Sequence, residues 1–150
     1  MTIVYESAHF EIVVPQRPHV TRTDGGHLII NPKVTVEDRT QLARDQAVEL
    51  MKLTMVTGAA MKTVLTRRGI PIGRINYQDN GNWRHELHVH LYGRSRHATT
   101  QPWGTFLQLP PTREAFNAAM GNLEALNAED VRELRAEIER LMGTEKYSDF

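Results

Sequence analysis

Three of the seven histidines of this 150-residue chain lie within the stretch RHELHVHLYGR, residues 84–94. They are His85, His88 and His90, and a Gly-Arg pair ends the stretch. An imidazole titrates near neutral pH, so it can attack phosphorus, carry a proton or bind a metal ion. The stretch is therefore the strongest candidate for a chemically active segment.

The alternation of residue types in this stretch predicts a β-strand with one polar and one apolar face. Side chains two residues apart share a face of a strand. The polar face would carry Glu86, His88, His90 and Tyr92, and the apolar face would carry Leu87, Val89 and Leu91. His85 falls outside the polar set, on the leucine face or in the preceding turn.

Three uses of this polar face compete on the residues alone. A neutral histidine can act as a nucleophile or proton carrier, oriented by a neighbouring His or Glu. A zinc site would combine His88 and His90 with Glu86 or a remote histidine such as His19 or His27, or with His85, from which strand alternation separates them. The third use is structural, with surface histidines on the solvated face of a sheet.

Composition excludes several classes of site and partner. Eighteen basic side chains balance eighteen acidic ones, so there is no general attraction to nucleic acid or anionic membranes. The absence of cysteine excludes disulfides, thiolate metal sites and a cysteine nucleophile, and it fits a reducing compartment. We find neither a signal-peptide pattern at the N-terminus nor the about 20 apolar residues of a membrane helix. We predict a cytoplasmic protein.

Two hairpins and a long helix are predicted for residues 10–94. HFEIVV and HLIINPK flank a Pro/Gly-rich loop and predict an antiparallel hairpin, with Pro32 at a strand margin. IPIGRINYQ and HELHVHLY, joined by a polar turn at 79–82, predict a second hairpin. Between them, apolar residues at three- and four-residue steps predict an amphipathic helix from residue 35 or 38 to about 68, bent or interrupted at 57–58.

Two further helices are predicted beyond the second hairpin, at residues 112–126 and 128–142. Asn127 or Asp130 is the expected N-cap of the second one. We find no internal repeat, low-complexity tract or linker, so residues 1–150 are predicted to form one domain. The order hairpin, helix, hairpin, helices predicts an α+β fold with an antiparallel sheet.

HELHVHLYGR, preceded by GRINYQDNGNW and by GGHLIINPK, resembles the histidine triad (HIT) superfamily. That family's signature is His-x-His-x-His followed by two apolar residues and a Pro/Gly-Arg-like turn. The resemblance runs from about residue 10 to 94 in the family's order, and it leaves residues 99–150 as a C-terminal helical extension. It implies a HIT-like antiparallel meander with a long helix, commonly a homodimer, and chemistry that requires no metal or other cofactor.

The resemblance also implies an activity on a small nucleotide substrate. Family members hydrolyse or transfer nucleoside monophosphates from phosphoramidates, dinucleoside polyphosphates, nucleotide sugars or adenylated nucleic-acid ends. The middle histidine attacks the α-phosphorus and forms a nucleotidyl-histidine intermediate. The implied function is therefore a phosphoric-anhydride or phosphoramidate hydrolase, or a nucleotidyltransferase.

The register of the motif decides which residue takes which role. Aligned on LYGR, the triad positions are Glu86, His88 and His90. His88 is then the implied nucleophile, His90 a phosphate contact or proton shuttle, and Glu86 the orienting group in place of a histidine. In the other register His90 is the nucleophile and Tyr92 replaces the third histidine.

Substrate contacts are implied at the family's asparagine before the triad, at the polar turn and at the end of the strand. These residues are Asn76, Asn80, Gly81, Asn82, Tyr92 and Arg94. The family's ribose-binding Asp or Asn is replaced here by Val14 or Pro15, so ribose recognition would move to Gln16 or Asp24. This replacement and the Glu86 substitution favour an alternative function, nucleotide binding with little or no turnover.

Overall fold

A computed structural model describes all residues of the chain, 1–150. The strands are β1 (Thr2–Glu6), β2 (Phe10–Val14), β3 (His27–Pro32), β4 (Ile72–Gln78) and β5 (Val89–Ser95). The α-helices are α1 (Arg44–Arg67), α2 (Arg113–Met120), α3 (Ala128–Met142) and the single turn α4 (Glu145–Ser148). The strands form an antiparallel sheet in the order β1-β2-β3-β5-β4, which confirms the α+β class.

The sheet contains both predicted hairpins and one pairing that local patterns do not predict. β2 pairs with β3 and β4 pairs with β5, as the alternating segments indicate. β3 also pairs with β5, which places His27 opposite Tyr92 and Ile29 opposite His90. Strand β1, which was not predicted, lies at the edge beside β2. The histidine-bearing strand β5 is therefore held on both sides.

One face of the sheet carries the hydrophobic core. Leu28 and Ile30 of β3 and Val89 and Leu91 of β5 are buried there together with apolar residues of α1 and α3. Burying each such side chain contributes about 1.5–3 kcal/mol before entropy is counted. Because the residues between them point to the opposite face, core packing fixes the direction in which the histidines of β3 and β5 point.

Helix α1 begins later than predicted and is not interrupted at residues 57–58. A single 3₁₀ turn, Arg39–Gln41, precedes it, and Asp38 caps that turn through Thr40. Gly58 lies inside the helix, where a Cβ would stand 2.0 Å from the Tyr77 hydroxyl oxygen. The glycine therefore provides room for a close approach to β4 and does not bend the helix.

The C-terminal helices differ in how well the sequence predicts them. Helix α2 is shorter than predicted, because the helix ends at Met120 and the chain continues irregularly to Asn127. Helix α3 has the predicted bounds, and the Asn127 side chain accepts from the Asp130 N–H at 2.9 Å. The helices all lack the combination of length and apolar composition that a bilayer crossing requires.

Candidate active site

His88 has the hydrogen bonding of an imidazole with a free Nε2 lone pair. It lies directly before β5, which begins at Val89. The strand predicted from HELHVHLY therefore starts later than expected, and Glu86 and His88 precede it. Its Nδ1 is 2.7 Å from the main-chain carbonyl oxygen of Glu86. A carbonyl oxygen only accepts, so the proton lies on Nδ1 and Nε2 is unprotonated in the neutral ring.

The pKa of His88 lies below the ordinary value of 6.5. Burial lowers it, the hydrogen bond to the Glu86 carbonyl raises it, and the nearby Arg84 guanidinium lowers it again. His88 is therefore predominantly neutral at pH 7, and its Nε2 keeps the lone pair that a nucleophile needs.

His90 has the opposite tautomer, because a chain of hydrogen bonds runs to it through His27. The His19 N–H donates to His27 Nδ1 at 3.0 Å, so the proton of neutral His27 lies on Nε2. That Nε2–H donates to His90 Nδ1 at 2.8 Å, which leaves the His90 proton on Nε2. Burial lowers the pKa of His90 to about 3, with help from His19, His88 and Arg84, so the ring stays neutral.

Tyr92 and His19 extend this chain of buried polar groups. Tyr92 stacks on His90 with ring centroids 5.4 Å apart, and its hydroxyl shares a hydrogen bond of 2.8 Å with His19 Nδ1. Burial raises the pKa of Tyr92 and lowers that of His19 to about 4, the latter with a contribution from His88. Tyr92 is therefore a neutral hydroxyl.

Six of the nine predicted site residues lie around one recess of about 210 Å³. They are His88, His90, Asn80, Gly81, Asn82 and Tyr92. The recess is completed by His19, Trp83 and Leu109 and has no charged side chain in its lining. A second recess, of about 430 Å³, shares His19, Trp83, His88 and His90 with it and has three arginines in its lining.

Asn76 and Arg94 lie apart from these two recesses and pair with each other. Arg94 Nη1 donates to Asn76 Oδ1 at 2.9 Å, and Nη2 donates to the carbonyls of Pro102 and Thr105. The Arg94 side chain is buried and tethers the segment that follows β5. The preceding Gly93 has a similar structural role, because a Cβ on it would stand 2.0 Å from the Gly25 carbonyl oxygen.

Glu86 and His85 are exposed, and neither side chain lines the recesses around His88. The Glu86 carboxylate makes no hydrogen bond, and the residue reaches His88 through its main-chain oxygen instead. His85 Nε2 lies 2.9 Å from the Glu37 carboxylate at the surface, consistent with its position in the turn before the strand.

Of the candidates for ribose recognition, only Gln16 is exposed and free to contact a ligand. Val14 and Pro15 are buried and apolar, and Gln16 is exposed in the β2–β3 connection. Asp24 is buried, and its carboxylate accepts from the N–H groups of residues 99–101 at 2.7–2.9 Å. These three bonds occupy Asp24 in holding the chain after β5, so it has no free oxygen directed at a substrate.

The ring nitrogens of His19, His27 and His90 lie within 4.8 Å of one another, which is the only such group of potential metal ligands. It includes neither His85 nor His88, so the histidine cluster of the sequence does not converge on a common point. A zinc ion bound by these three rings would have to replace the hydrogen bond between His27 and His90.

Trp83 and the arginines of the second recess are the site residues that motif reading missed, while His19 and His27 enter only as remote zinc ligands. The β3–β5 pairing places His27 beside the histidine strand, and no local sequence pattern reports that pairing. The GGH tripeptide, which ends at the first residue of β3, is the local signal for His27, but it does not place His27 beside His90. Trp83 and Arg84 lie directly before the histidines but carry no recognisable spacing.

Comparisons with solved structures find the same fold in several histidine triad proteins. A histidine triad protein from Marinobacter aquaeolei VT8 is 19% identical over 93% of this chain and 89% of its own, with a TM-score of 0.63. One from Bradyrhizobium japonicum is 16% identical over 92% and 87%, with a TM-score of 0.62. A zinc-bound family protein from Mycobacterium smegmatis is 15% identical over 93% and 84%, with a TM-score of 0.59.

Sequence comparison with family models identifies the family of this chain. The sequence has no significant match among curated proteins. The model of the HIT domain matches residues 1–97, which include all five strands, helix α1 and the three histidines that line the recess. The chain belongs to the histidine triad family.

Proposed function

We propose that the protein is a nucleotide hydrolase or nucleotidyltransferase that forms a covalent nucleotidyl intermediate on His88. The observation that carries the proposal is the pair of opposite tautomers on neighbouring histidines. His88 offers an unprotonated Nε2, and His90 offers an Nε2–H. A nucleophile and a hydrogen-bond donor 4.6 Å apart, centroid to centroid, suit attack on a phosphoryl group.

In the proposed reaction, the lone pair of His88 Nε2 attacks the α-phosphorus, and the bond from phosphorus to the leaving group breaks. The leaving group departs with the bonding electrons. His88 then carries the nucleoside monophosphate on Nε2 and a positive charge on the ring. Water attacks the same phosphorus, releases the nucleoside monophosphate and returns the electron pair to Nε2, and the water loses a proton to solvent.

Two main interactions support this reaction from the protein side. The Glu86 carbonyl holds the Nδ1–H and stabilises the charge that develops on His88. The His90 Nε2–H is fixed by His27 and can donate to a phosphoryl oxygen without changing its protonation state. Glu86 thus contributes its main chain, so its side chain need not replace the missing histidine.

The activity should be visible as release of a nucleoside monophosphate. Adenosine 5′-phosphoramidate, diadenosine tetraphosphate and ADP-glucose present three different leaving groups on the same phosphorus. The proposal predicts AMP from at least one of them, measured by chromatography with purified enzyme. If none yields AMP, the proposed function is wrong.

A specific observation favours a second candidate, nucleotide binding without turnover. Val14 and Pro15 are buried where the family resemblance implies a ribose-binding residue, so the contacts that orient a nucleoside are incomplete. In that case purine nucleotides would raise the melting temperature of the protein while AMP release stays at background.

The pH dependence of the proposed reaction follows from the neutral state of His88. Protonation of Nε2 removes the nucleophile, so kcat/KM for diadenosine tetraphosphate should rise with pH and level off above a midpoint below 6.5. Because Arg84 lowers the pKa of His88, the Arg84→Gln variant should move this midpoint to higher pH. The matched control is Arg44→Gln, at the exposed first residue of α1, which should leave the midpoint in place. A wild-type midpoint above 6.5 would contradict the assignment.

We also propose that the protein is a homodimer in which β4 and α1 form the contact. Strand β4 is an edge strand with unpaired main-chain groups, and it lies beside an apolar recess of about 490 Å³. Met51 and Tyr77 line that recess and are 54% and 49% exposed. An edge strand next to apolar side chains is self-complementary about a two-fold axis.

Light scattering coupled to gel filtration tests this assembly. The wild-type chain should elute as a dimer, and Met51→Glu should shift it towards monomer by burying a charge in the contact. Ile3→Glu, at an exposed apolar residue of β1 on the opposite edge of the sheet, should leave the mass unchanged. A monomeric wild type would refute the proposal.

Finally, we propose that residues 1–150 act as one domain in the cytoplasm. The C-terminal part is tied to the HIT domain by the Asp130 hydrogen bonds to Arg22 and Arg68, which supports a common folding unit.

A further inference from the structure

The larger recess beside His88 has an unusual charge. Its volume is about 430 Å³, and its lining includes three arginines, Arg17, Arg84 and Arg113, and no carboxylate. The smaller recess, which contains the Asn80–Asn82 turn, has no charged residue at all. The positive charge around His88 is therefore concentrated on one side.

The three arginines come from separate parts of the chain. Arg17 lies in the β2–β3 connection, and its side chain makes no hydrogen bond within the protein. Arg84 donates to Asn31 Oδ1 at 2.6 Å, while its buried Nε has no partner. Arg113, the first residue of α2, donates to the Trp83 carbonyl at 2.6 Å.

None of these arginines forms an ion pair within the protein. The arginines that form ion pairs are Arg22, Arg39, Arg67, Arg68, Arg132 and Arg140. Burial lowers the pKa of Arg84, Glu86 raises it and Arg113 lowers it, so the two guanidinium groups repel each other across the recess. Glu86 attracts Arg84 without forming an ion pair, and no carboxylate lines the recess, so a bound anion would relieve the repulsion between its arginines.

The proposed reaction at His88 does not account for this charge. The phosphoryl group under attack lies against His88 Nε2 and the His90 Nε2–H. A guanidinium group forms bidentate hydrogen bonds with phosphate oxygens. Three such groups carry more positive charge than the single negative charge of one phosphodiester-like anion requires. The lining also contains Trp83 and Phe116, with ring centroids 5.8 Å apart.

We propose that this recess binds a second phosphate group of the substrate, one that is not attacked. The substrate is then a nucleotide with at least one phosphate more than the reacting one. The inference rests on the proposed function and adds the substrate class to it. Arg113 and Phe116 belong to α2, outside the HIT domain at residues 1–97, so the C-terminal segment supplies part of this selectivity.

The second phosphate can come from either of two parts of a nucleotide. It can be the next phosphate of an oligophosphate leaving group, or a phosphate on the sugar of the transferred nucleotide. Both present the same chemistry to three arginines. Three substrates separate them: adenosine 5′-phosphoramidate, diadenosine tetraphosphate and the 3′-phosphorylated form of the phosphoramidate.

The kinetic test compares ratios of kcat/KM. For wild type, at least one of the two extended substrates should exceed adenosine 5′-phosphoramidate. Arg113→Gln and Arg17→Gln should each lower that ratio by about tenfold, the loss of one charged hydrogen-bonding partner. Arg44→Gln is the matched control, since Arg44 is also the exposed first residue of a helix without an ion pair, and its ratio should match wild type. If the arginine variants lower the ratio for diadenosine tetraphosphate, the second phosphate belongs to the leaving group. If they lower it for the 3′-phosphorylated phosphoramidate, the second phosphate belongs to the sugar.

A binding measurement keeps the inference testable if no substrate turns over. By titration calorimetry, inorganic tripolyphosphate should bind wild type more tightly than inorganic phosphate, and Arg113→Gln should weaken tripolyphosphate about tenfold while Arg44→Gln does not. Absence of AMP release with this binding pattern would refute the proposed function alone. Equal affinity for the two anions, or equal losses in Arg113→Gln and Arg44→Gln, would overturn the inference about the recess.

Discussion

Replacing His88 by alanine is expected to reduce AMP release by about 10⁴-fold or more, because a covalent route without its nucleophile has no substitute in the site. The residue is only 6% exposed and its Nδ1 is held by the Glu86 carbonyl, which fixes the ring with its unprotonated Nε2 in place. The measurement is steady-state turnover of the best of the three substrates, with folding checked by circular dichroism.

Two further variants test whether the loss of turnover is specific to His88. His85→Ala removes an exposed histidine three residues away and should leave turnover within about twofold of wild type. His90→Ala should lower turnover less than His88→Ala, by about 10²–10³-fold, since it removes a hydrogen-bond donor and leaves the nucleophile. Turnover that survives in His88→Ala and vanishes in His90→Ala would show that the two histidines have the opposite roles.

The second large effect concerns stability. Asp130 is fully buried, and its carboxylate accepts from Arg22 at 2.6 and 3.0 Å and from Arg68 at 2.6 Å. The Asp130→Asn variant keeps the shape but removes the only anion paired with Arg22 and one of the two paired with Arg68, which retains Glu133. We expect a loss of about 3–5 kcal/mol in the free energy of unfolding, measured by urea denaturation at pH 7.

The same network makes this loss pH-dependent. Burial raises the pKa of Asp130, but hydrogen bonds from Arg22, Asn127 and Arg68 outweigh it and hold the pKa below its ordinary value. A carboxyl with a lowered folded pKa stabilises the fold above its unfolded pKa, about 4, and this stabilisation is lost as the pH falls through the folded value. The difference between wild type and Asp130→Asn should therefore be full at pH 7 and shrink below about pH 4.

A control variant distinguishes this network from general surface electrostatics. Glu129 is an exposed neighbour that pairs with Arg132 on the same helix, so Glu129→Gln should change stability little at any pH. Equal losses in the two variants, or a difference that grows as the pH falls, would contradict the assigned role of Asp130.

Much of the fold is predictable from the sequence because its signals are local. The hairpins follow from alternating segments around Pro/Gly-rich or Asn-Gly turns, and α3 follows from its cap at Asn127 and its apolar stripe. The β3–β5 pairing is not predictable in this way, because it joins segments separated by helix α1 and strand β4. It is this pairing that brings His27 to His90.

The candidate site is also predictable only where its signals are local in sequence. The motif places His88 and His90 together on one strand, but it does not show which ring nitrogen carries each proton. That depends on a main-chain carbonyl for His88 and on a histidine from another strand for His90. Arg94 and Asn76 show the opposite case. The sequence predicts that they contact the substrate, but they hydrogen-bond to each other and Arg94 also binds the chain after β5.

Trapping the covalent intermediate tests the central claim most directly. Wild-type protein mixed with the best substrate is quenched in cold base, in which a phosphorus–nitrogen bond to histidine survives, and the peptide spanning residues 85–94 is fragmented in a mass spectrometer. The account predicts a nucleoside monophosphate adduct on His88 that is absent from His88→Ala. An adduct on His90, or turnover that proceeds without any adduct on this peptide, would contradict it.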